Sequence, residues 1–521
     1  MKKIFFAAWV LAVMPAAAQD TYESARLIGS DLNGTARYVG MGGAMDALGA
    51  DISTISTNPA GVGVFRHSNI NASLGIVSQM DVQKFDALGK TNVSFDQIGF
   101  VYSSRISPTS YLNVGFNYHK SRNFDQILSA ANNLRGCSQN GLTYYKAEKG
   151  IYELDENSQG EIIGYEGNNR SWSYSGSDYM NANALMLDPN DGYIYTIDAR
   201  AYSFDRAHRG WIADYDFNLS GNVNDRFYWG LTVGIKDVNY KGYSEYGETL
   251  VDVDGDCGSM AVGDARKIKG TGFDVKAGLI FLPIEESPFR IGVSVATPTF
   301  YDLTSSNDSQ LDNNCKYGSW DHGYCSESYD FRFYTPWKFG LSMGHTFGSQ
   351  VALGVGYEYS DWGASKNRIN DGRRYDWWSD EYYEDSHTDK PMKENTERSL
   401  TGQHILKAGL EIKPVPEFAL RLGYNYLSSP YEERGYRDMT LDSPGVSYSS
   451  TTDYVNWKDT HRFTCGLGVK AGGMNIDLAY QYSATNGDFH PFQPYVDVKA
   501  TGVTEVSNKR HQVLLTLGYT F

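Results

Sequence analysis

The chain is short of several residue types that would otherwise simplify its reading. Of 521 residues only 5 are cysteine and 15 are proline, and charged residues make up 21%. So few cysteines exclude a disulfide scaffold, and since none forms a CxxC or a Cys/His metal spacing, no metal is expected. Positive charge is the scarcer sign: 46 Lys+Arg stand against 62 Asp+Glu, a net charge of −16, which excludes nucleic acid as a partner. Past the N-terminus no run approaches the ~18 apolar residues of a membrane-spanning helix. There is no glycine-rich phosphate loop and no nucleophile–base motif, so neither a cofactor nor an enzyme is expected. What is plentiful is aromatic and glycine: 39 Tyr, 24 Phe, 10 Trp and 54 Gly, a composition that argues against disorder. The mean hydropathy of −0.45 suggests a soluble protein. One membrane class survives it, because spanning β-strands are apolar only at every second residue.

The N-terminus reads as an export signal. Lys2 and Lys3 precede an apolar run from Ile4 to Met14, then Pro15 and Ala16 to Ala18. This is a positive n-region, a short h-region and a small-residue cleavage site, so residues 1–18 are expected to be removed. Outside the cytosol disulfides become plausible. Cys315 and Cys325 share one polar segment and are the expected pair, with Cys137 and Cys257 as the second. Cys465 sits within a strand pattern as a small apolar residue.

From residue 70 onward the dominant signal is period-two alternation, the mark of strands with one apolar face. In Leu112-Asn-Val114-Gly-Phe116-Asn-Tyr118-His119 every second side chain is apolar, and Phe227 to Lys236 behaves alike. Fourteen such segments follow one another, ending at Val513 to Phe521. Their apolar parity carries no Asp, Glu, Lys or Arg. A Lys or Arg in mid-bilayer costs ~2–4 kcal/mol, so a clean parity is what a lipid-facing surface requires. Links alternate between short turns, such as Gly348 to Gln350, and long polar loops, the longest from about Ser121 to Trp211. Aromatics such as Trp229, Tyr359 and Tyr519 gather at strand ends, as interfacial girdles do. The expectation is all-β: a 14-stranded antiparallel transmembrane barrel over residues 70–521, in the outer membrane of a Gram-negative bacterium. Its partners there would be outer-membrane lipid and lipopolysaccharide, with the outer-membrane assembly machinery during insertion.

Residues 19–69 lack the alternation. They run through Met41-Gly-Gly-Ala, Asp51 and Asn58-Pro59-Ala60-Gly61, with Asp51 placed to cap a one-turn helix over Ile52 to Thr57. A barrel of this size has room for a compact insert. Glycines on the inward parity, Gly115, Gly230, Gly354 and Gly423 among them, would either make that room or bend the strands. This run, just after a signal peptide and before the first strand, resembles the FadL/TodX family of outer-membrane transporters of hydrophobic compounds. The resemblance implies an N-terminal hatch (plug) with short helices inside the barrel, with Asn58, Pro59, Ala60 and Gly61 as its turn. It also implies passive transport of hydrophobic small molecules such as long-chain fatty acids, released by hatch movement, in part through the wall. An alternative is a barrel of this type serving as partner or scaffold of a secretion or surface-attachment system, or as a haem-capturing receptor.

A fatty-acid carboxylate in the lumen would want a cation in a low-dielectric setting. On the inward parity the candidates are Lys236, Lys276 and Arg421, with Lys407 and Lys470 behind them. Internal ion pairing with Asp214, Asp274, Glu358, Glu411 or Asp477 is the competing reading. The loop Asp371 to Asp389, which holds Trp377 and Trp378, is expected to pack over the barrel mouth rather than form a capture patch. Asp252-Val-Asp254-Gly-Asp256 starts like a calcium loop but has Cys257 and Gly263 where Gly and Glu belong.

Overall fold

The computed structural model describes residues 19–151, 153–156, 162–165, 175–187, 195–252, 255–315, 322–378, 380–495 and 503–521. The expected signal peptide lies outside these residues, as does Asp254 of the calcium-like run.

Alternating segments become antiparallel strands because each can present its apolar side chains to one face and its polar ones to the other. The strands close into a 14-stranded antiparallel barrel with 5 further strands attached. In chain order the wall is β1 (Asn69–Gln79), β2 (Thr91–Ser107), β3 (Ser110–Asn123), β4 (Asp198–Val223), β5 (Phe227–Asp252), β6 (Gly255–Phe281) and β7 (Arg290–Ala296). It continues with β8 (Lys338–Phe347), β9 (Val351–Asp361), β10 (Gly402–Val415), β11 (Phe418–Leu427), β12 (Tyr454–Ala471), β13 (Met474–His490) and β14 (Thr504–Thr520). The last strand pairs with the first, from Asn69↔Thr520 to Gln79↔Arg510, so the wall closes on itself.

The outer face settles the environment. Ile70, Phe100, Phe217, Leu231, Leu279, Leu341, Val355, Leu422, Leu467 and Leu515 all point outward and are exposed. A soluble protein would bury such a band; here it girdles the barrel as a lipid-facing surface. Among the described residues no helix is long and apolar enough to cross a membrane, which says nothing against crossing by strands. On β5 the outward parity turns polar at Asp237, Asn239 and Lys241, which marks the upper rim of the band. At the other end the links are short, and Asn224 and Asp225 both adopt positive φ (53° and 51°) in the β4–β5 turn.

Above the rim the strands continue as a β-rich dome. β5 is 26 residues long and β6 is 27, far beyond the span of a bilayer. Two neighbouring strands break at one height, at Thr297-Pro298-Thr299 and Thr335-Pro336-Trp337. Proline cannot donate to the ladder. Past these breaks the hairpin Phe300–Asn313 with His322–Tyr334 rises along the upper part of β6, its base closed by Thr335 N–H to the Thr299 carbonyl, 3.1 Å. The dome has its own apolar core, in which Phe489, Leu250, Leu311 and Val446 are buried, together with the helix Gln139–Glu148.

Candidate functional site

The lumen is filled from within the chain. Asp20 caps the helix Thr21–Ala25 by accepting from Tyr22 N–H (2.8 Å), and Thr35 caps Ala36–Gly40. Asp51 caps a short 3₁₀ helix, Ile52–Ser56, and also accepts from the Thr35 hydroxyl (2.8 Å), which ties the two turns together. Asn58 begins a second 3₁₀ helix, Pro59–Val64, its Oδ1 accepting from Ala60 N–H at 3.2 Å. Proline is tolerated there because the first helical N–H has no partner to lose.

This plug packs on the wall through the inward glycines. A Cβ on Gly230 would overlap Pro59, one on Gly278 would overlap Asn58, and one on Gly423 would overlap Gly42. Of the two readings of these glycines, room for the plug is the one the contacts favour. Wall side chains donate to plug carbonyls: Asn113 to Val62 (2.8 Å), Thr232 to Ile55 (3.1 Å) and Thr464 to Gly40 (3.2 Å). Arg37 of the plug reaches Glu411 on β10 through two nitrogens, at 3.1 and 3.2 Å. Met41, Met45, Ile52, Ile55 and Val62 are fully buried.

The three lumen cations singled out from parity do face inward, and each has carboxylate partners. Lys236 contacts Asp214 and lies 3.4 Å from Asp274. Lys276 lies 2.8 Å from Asp216 and 3.2 Å from Asp274. Arg421 bridges Glu411 (2.7 Å) and Asp477 (2.5 Å). Lys407 likewise joins Asp46 of the plug to Glu358. In this geometry Lys236, Lys276 and Arg421 tie wall strands to one another and Lys407 ties the wall to the plug, which is the competing reading above. His119, Asp214 and Asp216 bring ligand atoms within 4.8 Å of one another, but the ammonium groups of Lys236 and Lys276 already answer those carboxylates. A donor set so compensated suits an ion-pair network better than a metal.

Lys236, Lys276 and Lys407 line one cavity and Arg421 another, and a further set of cations lines one more. A cavity of ≈ 190 Å³ above the plug is lined by Arg26, Arg122, Arg206, Arg462 and Arg510. A second, of ≈ 110 Å³, lies beside the plug and is bounded by Tyr38, His119, Lys236 and Tyr301. Gly29, Ser30, Asp31 and Asn33 line both, so this stretch of plug is the partition between them. A third cavity, of ≈ 210 Å³, opens at the short-turn end beside Arg37, Asp51 and Lys413. Parity reading missed Arg122 because a bulge between Lys120 and Arg122 shifts the register on β4 and turns it inward. Arg462 and Arg510 lie just beyond the alternating segments as drawn from sequence.

The wall is interrupted beside that partition. β2 and β3 pair only as far as Gln97↔His119, although β2 continues to Thr91 against β1. Above that point β3 turns away and stays with β4. The following strand, Gln126–Asn133, comes up against β1, where the Gln79 side chain meets the Ile127 backbone with two bonds of 2.8 Å. Asn33 occupies the gap from inside, donating to Asp96 on β2 (3.0 Å) and to the Lys120 carbonyl on β3 (3.0 Å). Lys120 closes it further by donating to Ser94, 2.6 Å.

In the dome the cysteines fall differently from expectation. Cys257 and Cys315 bring their sulfurs to 3.0 Å, a pairing that is neither Cys315 with Cys325 nor Cys137 with Cys257. Cys325 lies against Gly176 and Glu327 instead, Cys137 is buried in the dome core, and Cys465 points outward in the lipid band. The tip of Lys366–Asp376 with Glu381–Thr388 also departs from the packed arrangement expected. Trp377 and Trp378 touch each other, ring centroids 4.4 Å apart, but are 70% and 81% exposed at the end of this hairpin.

No protein-family model matches the chain, and no curated protein matches it in sequence. Several solved structures align with it along nearly their whole length. A Pseudomonas aeruginosa FadL homologue aligns at TM-score 0.49 and 11% identity, over 95% of this chain and 99% of that one. The Ralstonia pickettii toluene transporter TbuX aligns at 0.46 and 12%, over 94% and 99%. The Pseudomonas putida toluene transporter TodX aligns at 0.45 and 9%, over 95% and 100%.

Proposed function

We propose that the protein is a passive conduit for hydrophobic small molecules, long-chain fatty acids among them, across a bacterial outer membrane, with its N-terminal segment as a hatch. The observation that carries this reading is the gap between β2 and β3, closed from inside by Asn33. A solute too apolar for water needs an exit into lipid, and the gap lies level with Val93 and Phe95, which are exposed on the outer face. The cavities on either side of the 29–33 partition support the same route. Asn58 to Gly61 would then be the hatch turn, held against Gly230 and Gly278 while closed. Transport, rather than catalysis, is what a plugged lumen of paired charges suits.

The test is uptake of labelled dodecanol by a bacterial host carrying the chain in its outer membrane. Uptake is expected to exceed that of the same host without it, and Asn33→Ala, which unseals the gap, to raise it further. Equal uptake with and without the chain sinks the reading. A second role, attachment of a protein partner, is favoured by the exposed Trp377–Trp378 tip. Retention of a stable partner that Trp377→Ser with Trp378→Ser releases would support it.

A further inference from the structure

We propose that Lys241, Lys267 and Lys269, on the outer face just above the lipid band, form a docking site for a phosphorylated glycolipid of the outer leaflet. The inference rests on the outer-membrane barrel reading and adds to it a lipid partner and its place on the wall.

The three lysines share one side of two adjacent strands. Tyr240 and Ile268, which alternate with them, are buried, so the lysines point outward, and all three are exposed. Lys241 on β5 stands directly opposite Lys267 on β6, and Lys269 stands opposite Asn239. Like charges facing each other across a sheet repel, so this arrangement calls for a counter-charge. The chain does not supply it: among the described residues none of the three ammonium groups has a carboxylate or hydrogen-bond partner. The row continues with Arg209 on β4, beside Lys241, and with Ser306 and Ser328 of the rising hairpin, beside Lys267. Most acids around it are already answered. Asp86 is held by Arg209 (2.9 Å), Asp302 by Arg332 (3.3 Å), Glu245 by the Tyr243 hydroxyl (2.8 Å) and Asp308 by that of Ser326 (2.6 Å). Asp237 faces out nearer the band, one acid against three lysines. On a chain of net charge −16 this is a local excess of positive charge.

Height selects the partner. Ile235 and Phe273, paired with each other and both exposed, form the last apolar row of the band on these strands. Lys269 lies four residues above Phe273, about 10 Å along the membrane normal for a strand tilted by about 40°. Its four-carbon stem can bend back over part of that distance, which sets the ammonium at the depth of lipid phosphates. Phosphate monoesters on a glycolipid offer several charged oxygens to several ammonium groups at once, where a phosphodiester carries a single charge. The Ser306 and Ser328 hydroxyls, 3.0 Å from each other on the same face, offer polar contacts to its sugars.

The experiment uses the full chain in detergent micelles. Native mass spectrometry compares retention of diphosphoryl lipid A with that of the same lipid stripped of its phosphates. The parent is expected to retain the phosphorylated form more tightly, and less so as salt rises. Each lysine at an anionic surface is worth about fivefold, so Lys241→Gln, Lys267→Gln and Lys269→Gln together should weaken retention about a hundredfold. Retention of the phosphate-free lipid should not change. Lys241→Arg, Lys267→Arg and Lys269→Arg together, which keep the charge, should keep the preference. Heat-modifiable migration on gels checks that both variants still form the barrel. A preference that survives the glutamine substitutions overturns the proposal. So does release of bound lipid A by inorganic phosphate as effectively as by added lipid A, which would assign a soluble anion instead. A chain that retains both lipids alike refutes this inference alone; one that retains neither refutes the membrane reading with it.

Discussion

Glu248 is a residue whose surroundings set its protonation. It lies in the dome, well above the lipid band, where Tyr246 and the Gln139 amide donate to its Oε1 and Oε2 has no partner. Burial pushes its carboxyl up to about 7, against the lowering effect of those two donors. A raised acid binds more protons folded than unfolded, so its contribution is fullest below the unfolded value and is lost as pH rises through about 7. The helix Gln139–Glu148, whose first amide Glu248 accepts, should therefore exchange amide hydrogens faster at pH 8 than at pH 5.5, after correction for intrinsic rates. Glu248→Gln, neutral at both, is expected to remove the difference; an unchanged difference would mean another group is responsible. At the same scale Arg421 shows why parity alone cannot find a ligand site. Facing inward was legible from Arg421-Leu-Gly-Tyr, but that Glu411 and Asp477 would meet it depends on the register of β10, β11 and β13.

Among the elements, the strands were the most legible feature. Each of the fourteen alternating segments lies in one wall strand to within a residue at its ends; Leu112 to His119, for example, falls within β3. Their upward extensions were not legible, because above the rim both faces of a strand such as β5 are polar or mixed and the period-two signal vanishes. The cysteine pairing was lost for the same reason. Cys257 belongs to β6 and Cys315 follows the first strand of the rising hairpin, and only the long pairing from Phe300↔Phe273 to Asn313↔Met260 carries them to one place. At the proposed outer-membrane site, reached through an oxidising compartment, these two sulfurs are expected to form a disulfide through exchange with a thiol-oxidising protein of that compartment. Peptide mapping without reductant should yield a Cys257–Cys315 linked fragment, lighter than the sum of its parts by two hydrogens. Linked fragments of Cys315 with Cys325 would restore the expectation from sequence spacing.

For the whole molecule, the band of outward apolar residues is the decisive property. Leu231 stands within it on β5, exposed, with polar Thr232 turned into the lumen. Leu231→Arg is expected to cost ~2–4 kcal/mol if that face meets lipid, and only a few tenths if it meets water. Unfolding of the parent and variant from bilayers by guanidinium separates the two, and equal midpoints would remove the membrane assignment. The same substitution at the outward Lys241 position, already charged above the rim, should be silent.

Strand number, the direction each strand faces and the separate character of residues 19–69 were determined by the sequence by itself. Alternation, charge-free parity and turn residues are local, and a lipid environment enforces them at every strand. Which charges meet was decided only by the tertiary structure. Barrel closure brings β3, β12 and β14 around one cavity, a bulge turns Arg122 into it, and the plug sets Asp31 among the three arginines. Coulomb interactions depend on those distances through space, and spacing along the chain does not record them.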